Sequence, residues 1–305
     1  MNLLMNFSPN PILLSLGPVA IHWYGLVMAI SIALAFWVTL KLFDRYDIPR
    51  KHLYDLGFYL VIFGFIGARV YHVLNEIGYY WHHPAQIIAI WNGGLAIHGG
   101  LIAGVIVLYF YIKKHSNGFT IQQFNHDKLL NGYTVKLLFL LDILSPGILL
   151  SQGLGRWGNF FNQELYGMPS DSFGIFIEPV SRMAGYEQYS YFLPAFFIEF
   201  VWDVVLALVL LWLHKKRITF LLVYRSFGER GRAALEGRGV LLQSGTIFAF
   251  YLIFASLGRI IVEFLRIDPV PLVFSIRLPL LASSALLVIG VLILVRRFGR
   301  LKIGI

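Results

Sequence analysis

Long apolar runs separated by short polar stretches set the character of this chain. They lie near residues 21 to 43, 54 to 75, 94 to 112, 137 to 157, 191 to 213, 246 to 265 and 278 to 295. Each approaches the ~20 residues that a helix needs to cross the hydrocarbon core of a bilayer. Such segments must satisfy their backbone hydrogen bonds within the membrane, so the pattern predicts an all-α polytopic protein with about seven transmembrane helices. The fourth run is the least regular, because Asp142, Ser145, Pro146 and Gly147 interrupt it. The opening MNLLMNFSPN lacks the basic start of a cleavable signal, so the first apolar run is expected to be a retained span.

Charge adds an orientation. Of the 25 lysines and arginines, 19 fall in four segments, 41 to 53, 113 to 136, 214 to 244 and 296 to 305, while the intervening connections carry Arg182, Arg266 and Arg277. The positive-inside rule then puts the N-terminus outside and the C-terminus in the cytoplasm. The remaining Arg69, Arg156 and Arg259 lie within or at the rim of predicted spans. The whole is expected to form one integral-membrane domain, with a small outer excursion near 158 to 190 and a basic, irregular cytoplasmic loop near 214 to 245. Composition agrees: 58% of the residues are hydrophobic, 13% are charged, and mean hydropathy is +0.71. The net charge of +9 belongs mostly to cytoplasmic loops, where it suits anionic lipid head groups and gives no argument for nucleic acid. With no cysteine, the chain has no disulfide, thiolate metal site or cysteine nucleophile. His82 and His83 lack a convincing third ligand, so no metal site is expected.

Charged groups at membrane depth are costly and usually face a bundle interior or a wet cavity. Here they are Arg69, His98, Asp142, Glu199, Asp203, Arg259 and Glu263. Spacings of four and three residues place Arg259, Glu263 and Arg266 on one helix face, and Arg156, Asn159 and Asn162 share a face if their helix continues that far. Glu199 and Asp203 are also four apart, which suits packing or cavity lining as well as catalysis. An ion pair that only fixes helix packing explains Arg259 and Glu263 equally well. The topology puts several of these clusters toward the outer leaflet, where guanidinium forks suit a phosphate and the natural ligand is a phospholipid entering sideways. His98 could act there as a general base, although a histidine near a helix start is more often structural.

One stretch is far more specific. GRWGNFFNQELYG at 155 to 167 resembles the signature of the prolipoprotein diacylglyceryl transferase family. The agreement extends to IHWYG at 21 to 25, GARVYHVL at 67 to 74, WNGGLAIHGGLIAG at 91 to 104, the Asp142 to Pro146 stretch and GRIIVEFLR at 258 to 266. YSYFLPAFFIEF departs from the family's His-Pro-Ser-Gln-Leu-Tyr-Glu pattern, leaving Pro194 and Glu199 to align, and SIRLPLLASS lacks a glutamine after its arginine.

The resemblance implies a bacterial inner-membrane enzyme with its active site toward the periplasm and no cofactor. It would transfer the diacylglyceryl group of phosphatidylglycerol to the lipobox cysteine of a prolipoprotein and release glycerol 1-phosphate. A thiol is a weak nucleophile until deprotonated, so a base is implied: His98, Tyr24 acting with it, or a carboxylate. Arg156 and Arg259 would hold the phosphate, Asn159 and Asn162 would donate hydrogen bonds, and Glu164 and Glu263 would orient the arginines or bind head-group hydroxyls. Arg69, Asp142, Gly167, Glu199 and Arg266 complete the expected substrate-binding set. A lipid transporter or flippase would line a path with the same residue types, and a diverged transferase would use another acceptor.

Overall fold

A computed structural model describes residues 9–17, 19–89, 93–115, 132–226 and 243–302. In chain order, a hairpin of β1 (Ile12–Leu16) and β2 (Val19–His22) leads into helix α1 (Trp23–Arg45). Helix α2 (Lys51–Asn75), the short α3 (Ile77–His82), α4 (Ile97–Lys114) and α5 (Gly132–Phe161) follow. After β3 (Ile175–Phe176) and β4 (Tyr191–Phe192) come α6 (Ala195–Ser226), α7 (Thr246–Glu263), β5 (Leu272–Val273), β6 (Ile276–Arg277) and α8 (Leu278–Lys302). Among the described residues, six helices are long and apolar enough to cross a membrane, namely α1, α2, α5, α6, α7 and α8. Helix α4 covers the third expected span; its first two side chains lie outside the described residues. So do the expected loop residues 116–131 and 227–242, together with Trp91 and Asn92.

The chain divides into two compact units, residues 40–140 and the remainder. In the 40–140 unit, α2 and α4 meet at Gly67 and Gly99, where a side chain on either glycine would collide with the backbone of the other helix. Small residues allow that approach, and dispersion between the close-packed backbones holds it. Arg69 is buried here, donating from Nε to the Ile87 carbonyl at 2.8 Å and from Nη1 to the Gly93 and Gly94 carbonyls at 2.7 and 2.8 Å. Its guanidinium lies 5.3 Å from the Tyr80 ring centroid.

In the other unit, α5 runs unbroken through Pro146. Proline has no N–H for the carbonyl four residues back, which is that of Asp142. His214 of α6 fills the gap, its Nε2–H donating to the Asp142 carbonyl at 3.0 Å. The Asp142 carboxylate is fully buried, pairs with Arg217 at 2.8 Å, and accepts from the backbone N–H groups of Gly245 and Phe248 at 2.8 and 2.7 Å. It thus caps the start of α7. These anchors also correct the expected loop: helix α6 continues to Ser226, because no glycine or proline intervenes before Gly228 and His214 and Arg217 are buried against α5.

Replacing His214 with leucine should lower the unfolding free energy in detergent by about 1–3 kcal/mol, the cost of an unpaired buried carbonyl. Adding Pro146→Ala should recover much of it, since the new N–H bonds that carbonyl itself. Equal loss with and without the second change would contradict the assignment.

Candidate active site

The signature occupies the last turns of α5 and its exit. Gly158 leaves room for the Tyr24 ring, from which an added Cβ would be only 2.5 Å away, and Trp23 stacks on Phe161 with centroids 4.8 Å apart, so the start of α1 packs on the end of α5. The helix then stops in a Schellman arrangement: Gln163 N–H bonds the Phe160 carbonyl at 3.0 Å and Glu164 N–H the Asn159 carbonyl at 3.0 Å. Gln163 takes the left-handed conformation usual for glycine, with φ 53°, and its Oε1 accepts from Glu178 N–H at 2.8 Å, which a glycine could not do. Glu164 folds back over the helix end, accepting from Asn159 Nδ2 at 2.8 Å and Asn162 Nδ2 at 3.4 Å. Asn159, Asn162 and Glu164 therefore form a turn of their own.

Beyond the turn, a small apolar core of Phe160, Tyr166, Ile175, Ile177, Phe192 and Phe196 carries the excursion. Tyr166 donates to the Ser181 carbonyl at 2.9 Å and accepts from Met183 N–H at 2.6 Å. At Gly167 the backbone pairs with Arg266, and an added Cβ would sit 2.9 Å from that of Leu193 and 3.0 Å from the Leu265 carbonyl. The end of the signature thus fixes the segment that carries Arg266.

Those elements surround a cluster of guanidiniums and carboxylates. Glu199, on α6, pairs with Arg156 of α5, with Arg259 of α7 at 2.7 Å and with Arg266 at 3.8 Å. Glu263 pairs with Arg259 at 3.1 Å and Arg277 at 2.7 Å. Asp268 takes Arg266 in a fork, at 2.6 and 2.9 Å. The one-face expectation for Arg259 and Glu263 agrees with this geometry, but α7 ends at Glu263, and Arg266 reaches the cluster from the following bridge instead. Burial pulls the Arg266 guanidinium down, whereas the Asp268 bond and the charges of Asp268, Glu199 and Glu263 outweigh that and keep it above the usual arginine range.

The carboxylate side chains of Glu199 and Glu263 are 8% and 0% exposed, whereas the Arg156 and Arg259 side chains are 27% and 26% exposed. The cations are therefore the accessible partners. Both open into a cavity of about 160 Å³ whose wall also includes Gln152, Glu199, Trp202, Asp203, Tyr251, Ser256 and Ser283. That volume is roughly ten times what one water needs. Two guanidinium forks held by buried carboxylates in a low-dielectric wall make a site for an oxyanion, with charge-assisted bonds that strengthen as negative charge builds.

Of the residues expected from sequence, the structure gathers Arg156, Glu199, Arg259, Glu263 and Arg266 into one network. Tyr24, Asn159, Asn162, Glu164 and Gly167 shape the end of α5 and its exit. Asp142 lies fourteen residues before Arg156, about 21 Å along the helix. Arg69 and the His98 backbone belong to the 40–140 unit, and the His98 side chain lies outside the described residues. Asp268, Arg277, Gln152 and Tyr251 were not anticipated; Asp268 and Arg277 fall in a loop whose pairing is set by β5 and β6, beyond the reach of helical spacing.

The fold and site define a polytopic membrane protein with an arginine-lined pocket among its helices. Residues 11–296 match the family model described as prolipoprotein diacylglyceryl transferase, and the chain belongs to that family. Relatives named phosphatidylglycerol–prolipoprotein diacylglyceryl transferase occur in Synechococcus elongatus, 35% identical over 96% of this chain and 89% of the relative. Another, from Staphylococcus carnosus, is 35% identical over 95% and 91%, and one from Streptococcus pyogenes is 33% identical over 94% and 95%.

Asp268→Ala should cost about 3 kcal/mol of stability, because it strips a buried guanidinium of its forked partner. The measurement is chemical unfolding in micelles; a loss below about 1 kcal/mol would mean that Glu199 alone suffices for Arg266.

Proposed function

We propose that this chain transfers the diacylglyceryl group of phosphatidylglycerol to the lipobox cysteine of a prolipoprotein, forming a thioether and releasing glycerol 1-phosphate. Family membership and the names of the relatives supply the reaction class. The observation that carries it to these residues is the pair of part-exposed guanidiniums, Arg156 and Arg259, sharing the buried Glu199.

The lipid phosphate rests between Arg156 and Arg259. A base, for which the sequence offers His98, Tyr24 acting with it, or a carboxylate, takes the thiol proton, and the thiolate attacks the glycerol carbon that bears the phosphodiester oxygen. A C–S bond forms as the C–O bond breaks, and the electron pair leaves on the phosphate of glycerol 1-phosphate, which accepts the proton in the end. Charge on the departing phosphate grows along this path. The arginines therefore bind the transition state more tightly than the ground state. Glu263 and Arg266 keep Arg259 and Glu199 in place, and the turn of Asn159, Asn162 and Glu164 holds the end of α5 on which Arg156 rides.

The skew of basic residues toward four connections supports an N-terminus outside, a cytoplasmic C-terminus and a pocket facing the periplasmic side of the bacterial inner membrane. There both substrates, a membrane phospholipid and a membrane-tethered signal peptide, approach laterally.

The test is to incubate purified protein with phosphatidylglycerol and a one-cysteine lipobox peptide. A diacylglyceryl mass gain with stoichiometric glycerol phosphate is expected. No gain, with substrates shown competent by a known enzyme, would favour a lipid transporter or another acceptor. In the same assay Arg156→Lys should lose about 10²-fold in rate while remaining folded, since a point charge cannot reproduce the fork.

A further inference from the structure

Four carboxylates expected or found near the site already have partners. Glu199 and Glu263 are paired with arginines, Glu164 is held by Asn159 and Asn162, and Asp268 is forked by Arg266. Asp203 differs. It lines the same cavity as Arg156 and Arg259, yet no hydrogen bond or ion pair engages its carboxylate among the described residues. It also packs close to α5, since a side chain on Gly153 would sit 3.0 Å from the Asp203 Cβ. A membrane helix that carries an unpaired carboxylate beside two part-exposed guanidiniums is poised for a ligand with both an anion and hydrogen-bond donors. Nearby on the wall, Tyr251, Ser256 and Ser283 add hydroxyls, and Tyr251 OH accepts from Gln152 Nε2 at 3.4 Å.

We propose that Asp203 reads the head group of the lipid: its carboxylate accepts hydrogen bonds from the vicinal hydroxyls of the head-group glycerol while Arg156 and Arg259 hold the adjoining phosphate. This rests on the transferase reading and adds a specificity-determining residue to it. A carboxylate has two oxygens that match a 1,2-diol, and an uncharged alkyl head would leave them buried and unpaired, which is the stronger source of discrimination. A phosphate-only ligand would be repelled by Asp203. The pocket is therefore selective for a phosphodiester that ends in a polyol rather than for anionic lipids at large.

The experiment compares phosphatidylglycerol with phosphatidylpropanol, which has the same phosphodiester charge and chain length of head group but no hydroxyls. Binding to full-length protein in nanodiscs is measured for the parent and for Asp203→Ala, with transfer to the lipobox peptide followed in parallel. The parent should favour phosphatidylglycerol by about tenfold, and the variant should bring the ratio close to one by weakening phosphatidylglycerol alone. A merely structural Asp203 would weaken both lipids equally. Equal binding of both lipids by the parent overturns the proposal even if Asp203→Ala fails to fold, and so does a ratio that survives in the variant. If transfer proceeds while discrimination is absent, the head-group assignment alone is wrong; if the parent binds neither lipid and transfers nothing, the transferase reading falls with it.

Discussion

Glu199 lies within ion-pairing distance of three guanidiniums contributed by three separate segments of the chain, and the arrangement of the pocket depends on that sharing. Arginines gathered around a cavity repel one another, on the order of 2 kcal/mol per pair at an interior effective dielectric. A single buried carboxylate at their centre offsets that repulsion and fixes their directions. Because it serves several cations at once, it leaves Arg156 and Arg259 incompletely neutralised. Their part-exposed forks are what an anionic lipid would meet. Glu263, Arg277 and Asp268 extend the alternation of charge outward and tie it to the loop after α7.

The rest of the unit supports this cluster by closing backbone accounts that a bilayer would not forgive. Pro146 opens a gap in α5 that His214 fills, and the Asp142 carboxylate holds the start of α7, the helix that delivers Arg259. At the other end of α5, a left-handed Gln163 and the Glu164 fold-back turn the chain at once into the excursion whose Gly167 pairs with Arg266. Residues that look like substrate ligands in the sequence thus act, in part, by aiming the arginines.

Much of this was legible from sequence, for identifiable reasons. Apolar run length gives the helices because the bilayer imposes it, and the four-residue spacing of Arg259 and Glu263 gives their pair because helix geometry imposes that. Arg266 escaped the same logic, since its position depends on a strand-like bridge to Gly167 far away in the chain. The extension of α6 to Ser226 escaped because a basic, polar stretch reads as loop until Asp142 is seen to bury Arg217. Glu199 stood in a stretch that departs from the family pattern, and only the structure reveals how many arginines it serves.

On the proposed function, the arrangement of the arginines, more than their charge, makes the pocket a lipid phosphate site. The most direct test is the affinity of Glu199→Gln for phosphatidylglycerol in nanodiscs across a range of salt. Removing a negative charge beside three arginines should tighten binding of an anion if net charge were what mattered. The opposite is expected, about a tenfold loss, because the arginines lose the group that aims them. Unchanged or tighter binding in a folded Glu199→Gln protein would contradict it.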